Sequence, residues 1–144
     1  MVDSLVLAYV DLDDLLGSDD LSFRMNMLHI LTERFGVKNY RKRVGTPMSE
    51  FSRVHRAGNK AEAEHLRHVI GDPTIKFVYE ETRPNGTNVF GFKSAEGYRI
   101  FHVFRRSSKK KRSGKLFVIT KKKKRLTVDQ FIAERAASKT PATP

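Results

Sequence analysis

From Ser4 to Val10 the chain is almost wholly apolar over the length of a strand, and this run predicts a short buried β-strand. Asp11, Asp13 and Asp14 end it and predict a loop or a first helical turn. A step of three and four then sets in. Leu21, Met25, Leu28, Leu31 and Phe35 share one stripe of a helix, with Asp19 or Asp20 placed to cap it and Gly36 to stop it. Thr46-Pro47 opens a second, shorter helix carrying Met48, Phe51 and Val54, which Gly58 and Asn59 interrupt. A third runs from about Lys60 to Ile70 and ends at Gly71.

Beyond Asp72-Pro73 the period changes to two. Ile75, Phe77 and Tyr79 alternate with Lys76, Val78 and Glu80, and Pro84-Asn85-Gly86 turns the chain into a strand from Thr87 to Lys93. Gly97 marks another turn. Tyr98 to Arg105 and Lys115 to Thr120 read as the next two strands, joined by a polar insert, RSSKKKRSG. Thr127 is placed to cap a last helix through Ala137 that carries Val128, Phe131 and Ile132. The pattern predicts one α+β domain over residues 1–138, with N-terminal helices packed on a mostly antiparallel sheet, a long basic hairpin and a C-terminal helix. Residues 139–144 read as a frayed tail.

Composition fits a folded domain. Hydrophobic residues make up 39% of the 144, and ten Phe supply large apolar side chains despite 31% charged residues. There is no cysteine, which excludes disulfides and thiolate metal sites and agrees with a reducing, cytoplasmic setting. Asp3 and Asp11 bracket the first apolar run, so no signal peptide is expected, and no stretch reaches the ~20 apolar residues of a membrane span.

Charge changes the picture more. The formal net charge is +12, and its distribution is uneven: residues 1–20 hold six Asp and no Lys or Arg, while residues 105–125 hold twelve Lys or Arg and no Asp or Glu. Such segregation disfavours the isolated compact state by self-repulsion and points to a polyanionic partner. Lys109, Lys110, Lys111 and Arg112, flanked by Arg105, Arg106 and Lys115, form one cluster. Lys121, Lys122, Lys123, Lys124 and Arg125 form a second at the other end of the same strand pair. Lysines suit a phosphate backbone, where charge counts for more than fixed donor geometry. With Lys93 and Arg99 these cations are the candidate nucleic-acid contacts. Phe90, Phe92, Tyr98, Phe101, Phe104 and Phe117 lie among them, and any ring left exposed offers a base a stacking surface, which favours RNA or single strands over duplex DNA. Phe101 and Phe104 have opposite parity on one strand, so they cannot share a face.

Other chemistry is thinly supported. His65 and His68 lie three apart beside Glu64, with no third ligand evident and no zinc-protease order. Asp11, Asp13 and Asp14 lack the glycine and terminal glutamate of a calcium loop. No metal or other cofactor is therefore expected. His102, between Phe101 and Val103, reads either as a surface residue or as a general base.

From Phe90 to Phe104 the chain reads FGFKSAEGYRIFHVF, and from Lys115 to Ala136 KLFVITKKKKRLTVDQFIAERA. A strand, a turn, a Gly-Tyr-Arg with alternating apolar residues, an apolar strand, a basic segment and a final helix follow in that order. This resembles the RelE/ParE toxin superfamily, small α+β proteins with helices on an antiparallel sheet. The resemblance implies an RNA-facing sheet. RelE-like members enter the ribosomal decoding site and cut messenger RNA with Arg, Lys and Tyr side chains, whereas ParE-like members act on gyrase. By matching position, Arg99 corresponds to the family's Arg after Gly-Tyr, and Lys123 or Arg125 to its basic residue after the penultimate strand. Phe131 stands where RelE has Tyr, and Val89 and Gly91 fall near its strand lysines, leaving Lys93 close by.

The residues therefore point first to an RNA- or single-strand-binding protein of little base specificity. A RelE-like, ribosome-dependent endoribonuclease using Arg99, His102 and Lys123 is the second expectation. A duplex-DNA-binding accessory protein is the third.

Overall fold

A computed structural model describes residues 2–4, 7–9, 16–37, 48–106 and 112–139. Two short strands, β1 (Val2–Ser4) and β2 (Leu7–Tyr9), pair antiparallel; the run Ser4–Val10, expected as one strand, contains β2 but only the last residue of β1. Two helices follow, α1 (Asp20–Gly36) and α2 (Met48–Ile70). Five strands then form an antiparallel meander: β3 (Lys76–Thr82), β4 (Asn88–Lys93), β5 (Arg99–Arg106), β6 (Arg112–Ile119) and β7 (Arg125–Leu126), in that spatial order. Helix α3 (Val128–Lys139) closes the described chain. The architecture is α+β. No helix among the described residues is long and apolar enough to cross a membrane.

The three helices α1, α2 and α3 pack on one face of the sheet. Met25 from α1, Ala63, Leu66 and Ile70 from α2, and Phe131 from α3 join Phe90, Phe92, Ile100, Leu116 and Val118 in one buried cluster. Asp19 caps α1 through its Oδ1, which accepts from the Ser22 amide at 2.8 Å. The same residue secures α1 to β6: its Oδ2 accepts from the Leu116 amide at 3.0 Å, and its own amide donates to the Gly114 carbonyl. The Gly114 amide donates to Ser18 Oγ. Because β7 covers only the far end of β6, these bonds satisfy an edge that would otherwise be left open to pairing. Gly114 has no room for a side chain, since a methyl there would overlap Ser22 and Phe104. Thr127 and Gln130 form a reciprocal capping box at the start of α3.

Several boundaries differ from the sequence expectation. The two helices expected on either side of Gly58-Asn59 are one helix, α2, of 23 residues. Gly58 does not break it because the His29 ring lies against it, so its lack of a side chain serves packing between α1 and α2. Arg112, Ser113 and Gly114, read as part of the insert, belong to β6, and α3 runs two residues beyond Ala137. The alternation expected along β3 is broken by a register shift between Phe77 and Tyr79. Phe77 packs edge-on against the core ring Phe92, whereas Tyr79 falls on the opposite face. The tail residues 140–144 and the acidic stretch 11–14 lie outside the described residues.

Candidate nucleic-acid interface and a buried histidine–glutamate cluster

Register defines what stands on the face opposite α1, α2 and α3, which is helix-free among the described residues. Phe117 on β6 pairs with Phe101 on β5, which pairs with Gly91 on β4, which pairs with Tyr79 on β3. The Phe101 and Phe117 rings stack with centroids 5.4 Å apart and planes 22° from parallel. Gly91 leaves space that the Tyr79 ring fills, since a methyl at Gly91 would overlap it. The result is a row of three rings crossing four strands. Arg125 extends it, with its guanidinium carbon 3.9 Å from the centre of the Phe117 ring.

Cations bracket this row. One residue pair along, Lys93 faces Arg99, and Arg99 faces Ile119, which faces Arg125. On the other side, Lys115 pairs with Val103 and Arg105 with Ser113. Lys93, Arg99, Arg105, Lys115 and Arg125 are exposed, and among the described residues no carboxylate pairs with any of them. A hollow of about 520 Å³ opens on this face, lined by Arg83, Val89, Phe101, Val103, Arg105 and Phe117 among others.

The second basic run forms a tight turn. The Lys123 amide donates to the Thr120 carbonyl and the Thr120 amide to the Lys124 carbonyl, with Lys123 in the left-handed region at φ 61°. Lys121, Lys122 and Lys123 are exposed, while Lys124 is engaged by Glu134. The first run remains at the opposite end of the β5–β6 pair. Arg106 and Arg112 are partners in its register, and Lys109, Lys110 and Lys111 lie outside the described residues.

Most of the other aromatics belong to the core. Phe90, Phe92 and Tyr98 are buried, and Phe104 packs against them. The Tyr98 hydroxyl donates to Asp72 Oδ2 at 2.5 Å, and its ring meets Phe131 at 4.6 Å. Asp72 also accepts from Ser94, and from the amide and hydroxyl of Thr74. Burial alone would push this carboxyl up, but these hydrogen bonds outweigh it and hold Asp72 well below the usual carboxylate range. The Gly-Tyr of Gly97-Tyr98-Arg99 thus builds a turn and an anchor, and only Arg99 reaches the helix-free face.

His102 lies on the other side of β5 from Arg99. It is fully buried, and its Nε2 is 2.6 Å from Ser22 Oγ. Burial pushes its pKa down to about 3, so the ring is neutral. The arrangement Arg99, His102 and Lys123 expected of a nuclease is not brought together, because residues three apart on a strand point to opposite faces.

A second polar constellation lies between α1, α2 and β3, where sequence reasoning singled out nothing. His29 Nε2 is 3.0 Å from Glu33 Oε1 and 3.2 Å from His55 Nδ1, and His55 Nδ1 is 2.6 Å from the same Glu33 oxygen. The other nitrogen of each ring faces a further carboxylate: His29 Nδ1 is 3.2 Å from Glu62 Oε1, and His55 Nε2 is 2.7 Å from Glu80 Oε2. His29 Nδ1 and Glu62 Oε2 are buried and complete no well-aligned hydrogen bond. Burial lowers the His29 pKa, yet the carboxylates of Glu33 and Glu62 beside it outweigh this and raise it to about 9. Bonds to Glu33 and Glu80 raise His55 to about 10, against a smaller effect of burial. Burial raises the Glu33 pKa, but the two imidazoles outweigh it and bring the carboxyl down to about 2. Burial pushes Glu62 up. The legible signal was His29 and Glu33 at a four-residue spacing on one helix face; His65 and His68, the pair the sequence did offer, meet no third ligand among the described residues.

No family model matches the chain, and no characterised protein or solved structure is found similar to it.

Proposed function

We propose that the protein binds RNA or another single-stranded nucleic acid through the helix-free face of its sheet and the adjoining basic hairpin, with little base specificity. The observation that carries this reading is the row Phe117, Phe101, Tyr79, set between cations that no described carboxylate neutralises. Neighbouring rows on a strand are about 7 Å apart, so a base stacked on a ring can leave its phosphate beside Lys93 and Arg99 or beside Lys115 and Arg105. Arg125 presents a planar cation at the end of the row. Lys121, Lys122 and Lys123 on their turn suit phosphates without reading base edges. Cleavage has less support, since His102 is sealed on the core side and the helix-free face has no described group suited to proton transfer near neutral pH.

Titration of the purified protein against single-stranded RNA, single-stranded DNA and a duplex of matched sequence tests the reading. Single strands should bind more tightly, and the double variant Phe101→Ala, Phe117→Ala should lose that advantage while keeping its fold. Tighter duplex binding that is indifferent to both rings would reject it and favour a hairpin inserted into a groove.

A further inference from the structure

We propose that His29 Nε2, Glu33 Oε1 and His55 Nδ1 form a site for one divalent transition-metal ion of the zinc class, with Glu62 and Glu80 as outer carboxylates that orient the two imidazoles. The three atoms lie 2.6, 3.0 and 3.2 Å from one another. Ligands about 2.0–2.1 Å from a tetrahedral zinc ion stand about 3.3 Å apart, so two edges of the triangle match one face of that polyhedron to within about 0.3 Å, and the His55–Glu33 edge would have to open by about 0.7 Å. A ligating histidine ordinarily donates its second N–H to a carboxylate, which fixes tautomer and ring plane. His55 has that partner in Glu80 at 2.7 Å, and Glu62 Oε1 stands 3.2 Å from His29 Nδ1 without completing a hydrogen bond to it. The rings are also held from the side. His29 lies on Gly58, where no Cβ intervenes, and Phe51 stacks on His55 with planes 14° apart.

Protons satisfy the triangle poorly. An imidazole nitrogen carries either a proton or a lone pair in the ring plane, so the 3.2 Å contact between the two rings needs one of each. The nitrogen with the lone pair then meets the Glu33 oxygen, which is itself an acceptor unless protonated. Protonating both rings gives Glu33 Oε1 two N–H donors and leaves two like-charged imidazolium nitrogens 3.2 Å apart. With Glu33 ionised, some edge of the triangle always opposes like to like. A cation at the centre resolves all three contacts, because each atom then offers it a lone pair. The buried Oε2 of Glu62 stands unpartnered beside the site. Two imidazoles and one carboxylate favour zinc, cobalt or nickel over magnesium or calcium, which take oxygen ligands. The site lies on the helix side of the sheet and does not depend on the nucleic-acid reading.

The test uses the untagged full chain, stripped with chelator and titrated with Co²⁺ alone and with Zn²⁺ alone. Expected are one equivalent of Co²⁺ with the visible absorption of a four- or five-coordinate ion, its displacement by Zn²⁺, and a thermal midpoint that rises with the logarithm of free Zn²⁺. His55→Gln and Glu33→Gln should abolish the absorption; His68→Asn, on an exposed part of α2, should leave it unchanged. Glu80→Gln, at the edge of the site, should weaken Co²⁺ binding by about tenfold to a hundredfold. A folded wild-type protein that takes up neither ion at micromolar concentration overturns the proposal. So does absorption that survives in folded His55→Gln, or, if that variant does not fold, undiminished affinity in Glu80→Gln.

Discussion

On the side of the sheet that meets the helices, charged and polar groups are buried in sets that answer one another: Asp72 with Ser94, Thr74 and Tyr98, Ser22 with His102, and Glu33 with two histidines. On the other side, five exposed cations stand with no carboxylate partner among the described residues, beside three rings held by register. The same strands supply both. Arg99 and Phe101 face one way, Ile100 and His102 the other. The difference shows where each kind of interaction is completed. Burial favours partners found within the chain on the helix side, because an unpaired buried polar group costs about 1–3 kcal/mol, and His29 Nδ1, Glu62 Oε2 and His102 Nδ1 are atoms there that complete no hydrogen bond among the described residues. The far side keeps its charge unanswered at the expense of self-repulsion, which a polyanion would relieve.

Salt gives the largest expected effect on this contrast. If about five cations contact phosphates, log affinity for a single strand should fall with log salt at a slope of roughly −3.5, about three-thousandfold per tenfold rise in salt. Thermal stability, set mainly by the neutral core, should change far less over the same range. Fluorescence anisotropy at several salt concentrations checks the first and a melting curve the second. A flat affinity would remove the phosphate-gripping mechanism.

Two phenylalanines on adjacent strands sharpen the comparison. Phe92 is 1% exposed in the core, and Phe92→Ala should destabilise the fold by about 3–5 kcal/mol. Phe101→Ala, on the helix-free face, should instead cost about 1–3 kcal/mol in single-strand affinity and less in stability. Chemical denaturation and binding titrations on the two variants separate the roles. Equal losses of stability with no loss of affinity for Phe101→Ala would assign its ring to packing alone.

Asp72 tests the helix side through pH. Its folded-state pKa is depressed, so its contribution to stability is complete above the unfolded value of about 3.9 and fades as pH falls from there toward the folded value. Asp72→Asn should cost about 1.5–3 kcal/mol at neutral pH, the range for hydrogen bonds to a charged group, and should flatten the acid limb of the stability curve. Denaturation midpoints between about pH 2 and pH 6 would record this. An unchanged acid limb would mean that other carboxylates govern acid unfolding.

How far the sequence foretold these two sides follows from what each depends on. The turns at Gly86 and Gly97 and the Asp19 cap are local features, and all are where residue type puts them. Helix α1 is where local reading fails. Its apolar stripe marks Leu31 and Phe35 for burial, yet they are 44% and 79% exposed, while Asn26, His29 and Glu33 are buried. Hydrophobic period cannot foresee a helix that turns a polar face inward, because His55, Glu62 and Glu80, which make that face tolerable, come from distant parts of the chain. The aromatic row was half legible. Parity separated Phe101 from Phe104, but the register shift that carries Tyr79 over Gly91 left no mark in the alternation.

The smallest expected effect concerns Arg99, three residues from His102 on β5. Its side chain is exposed and bonded to no described residue, so Arg99→Gln should leave stability within about 0.5 kcal/mol. If Arg99 contacts one phosphate, the salt slope for a single strand should become shallower by about 0.7, with affinity falling alike for every sequence tested. The slope is the more telling readout, since it counts phosphate contacts, whereas affinity alone also responds to altered stacking at the neighbouring Phe101. An unchanged slope with selective loss for one sequence would mean that Arg99 reads a base edge. The helix-free face would then recognise sequence, and the low specificity ascribed to it would be lost at this position first.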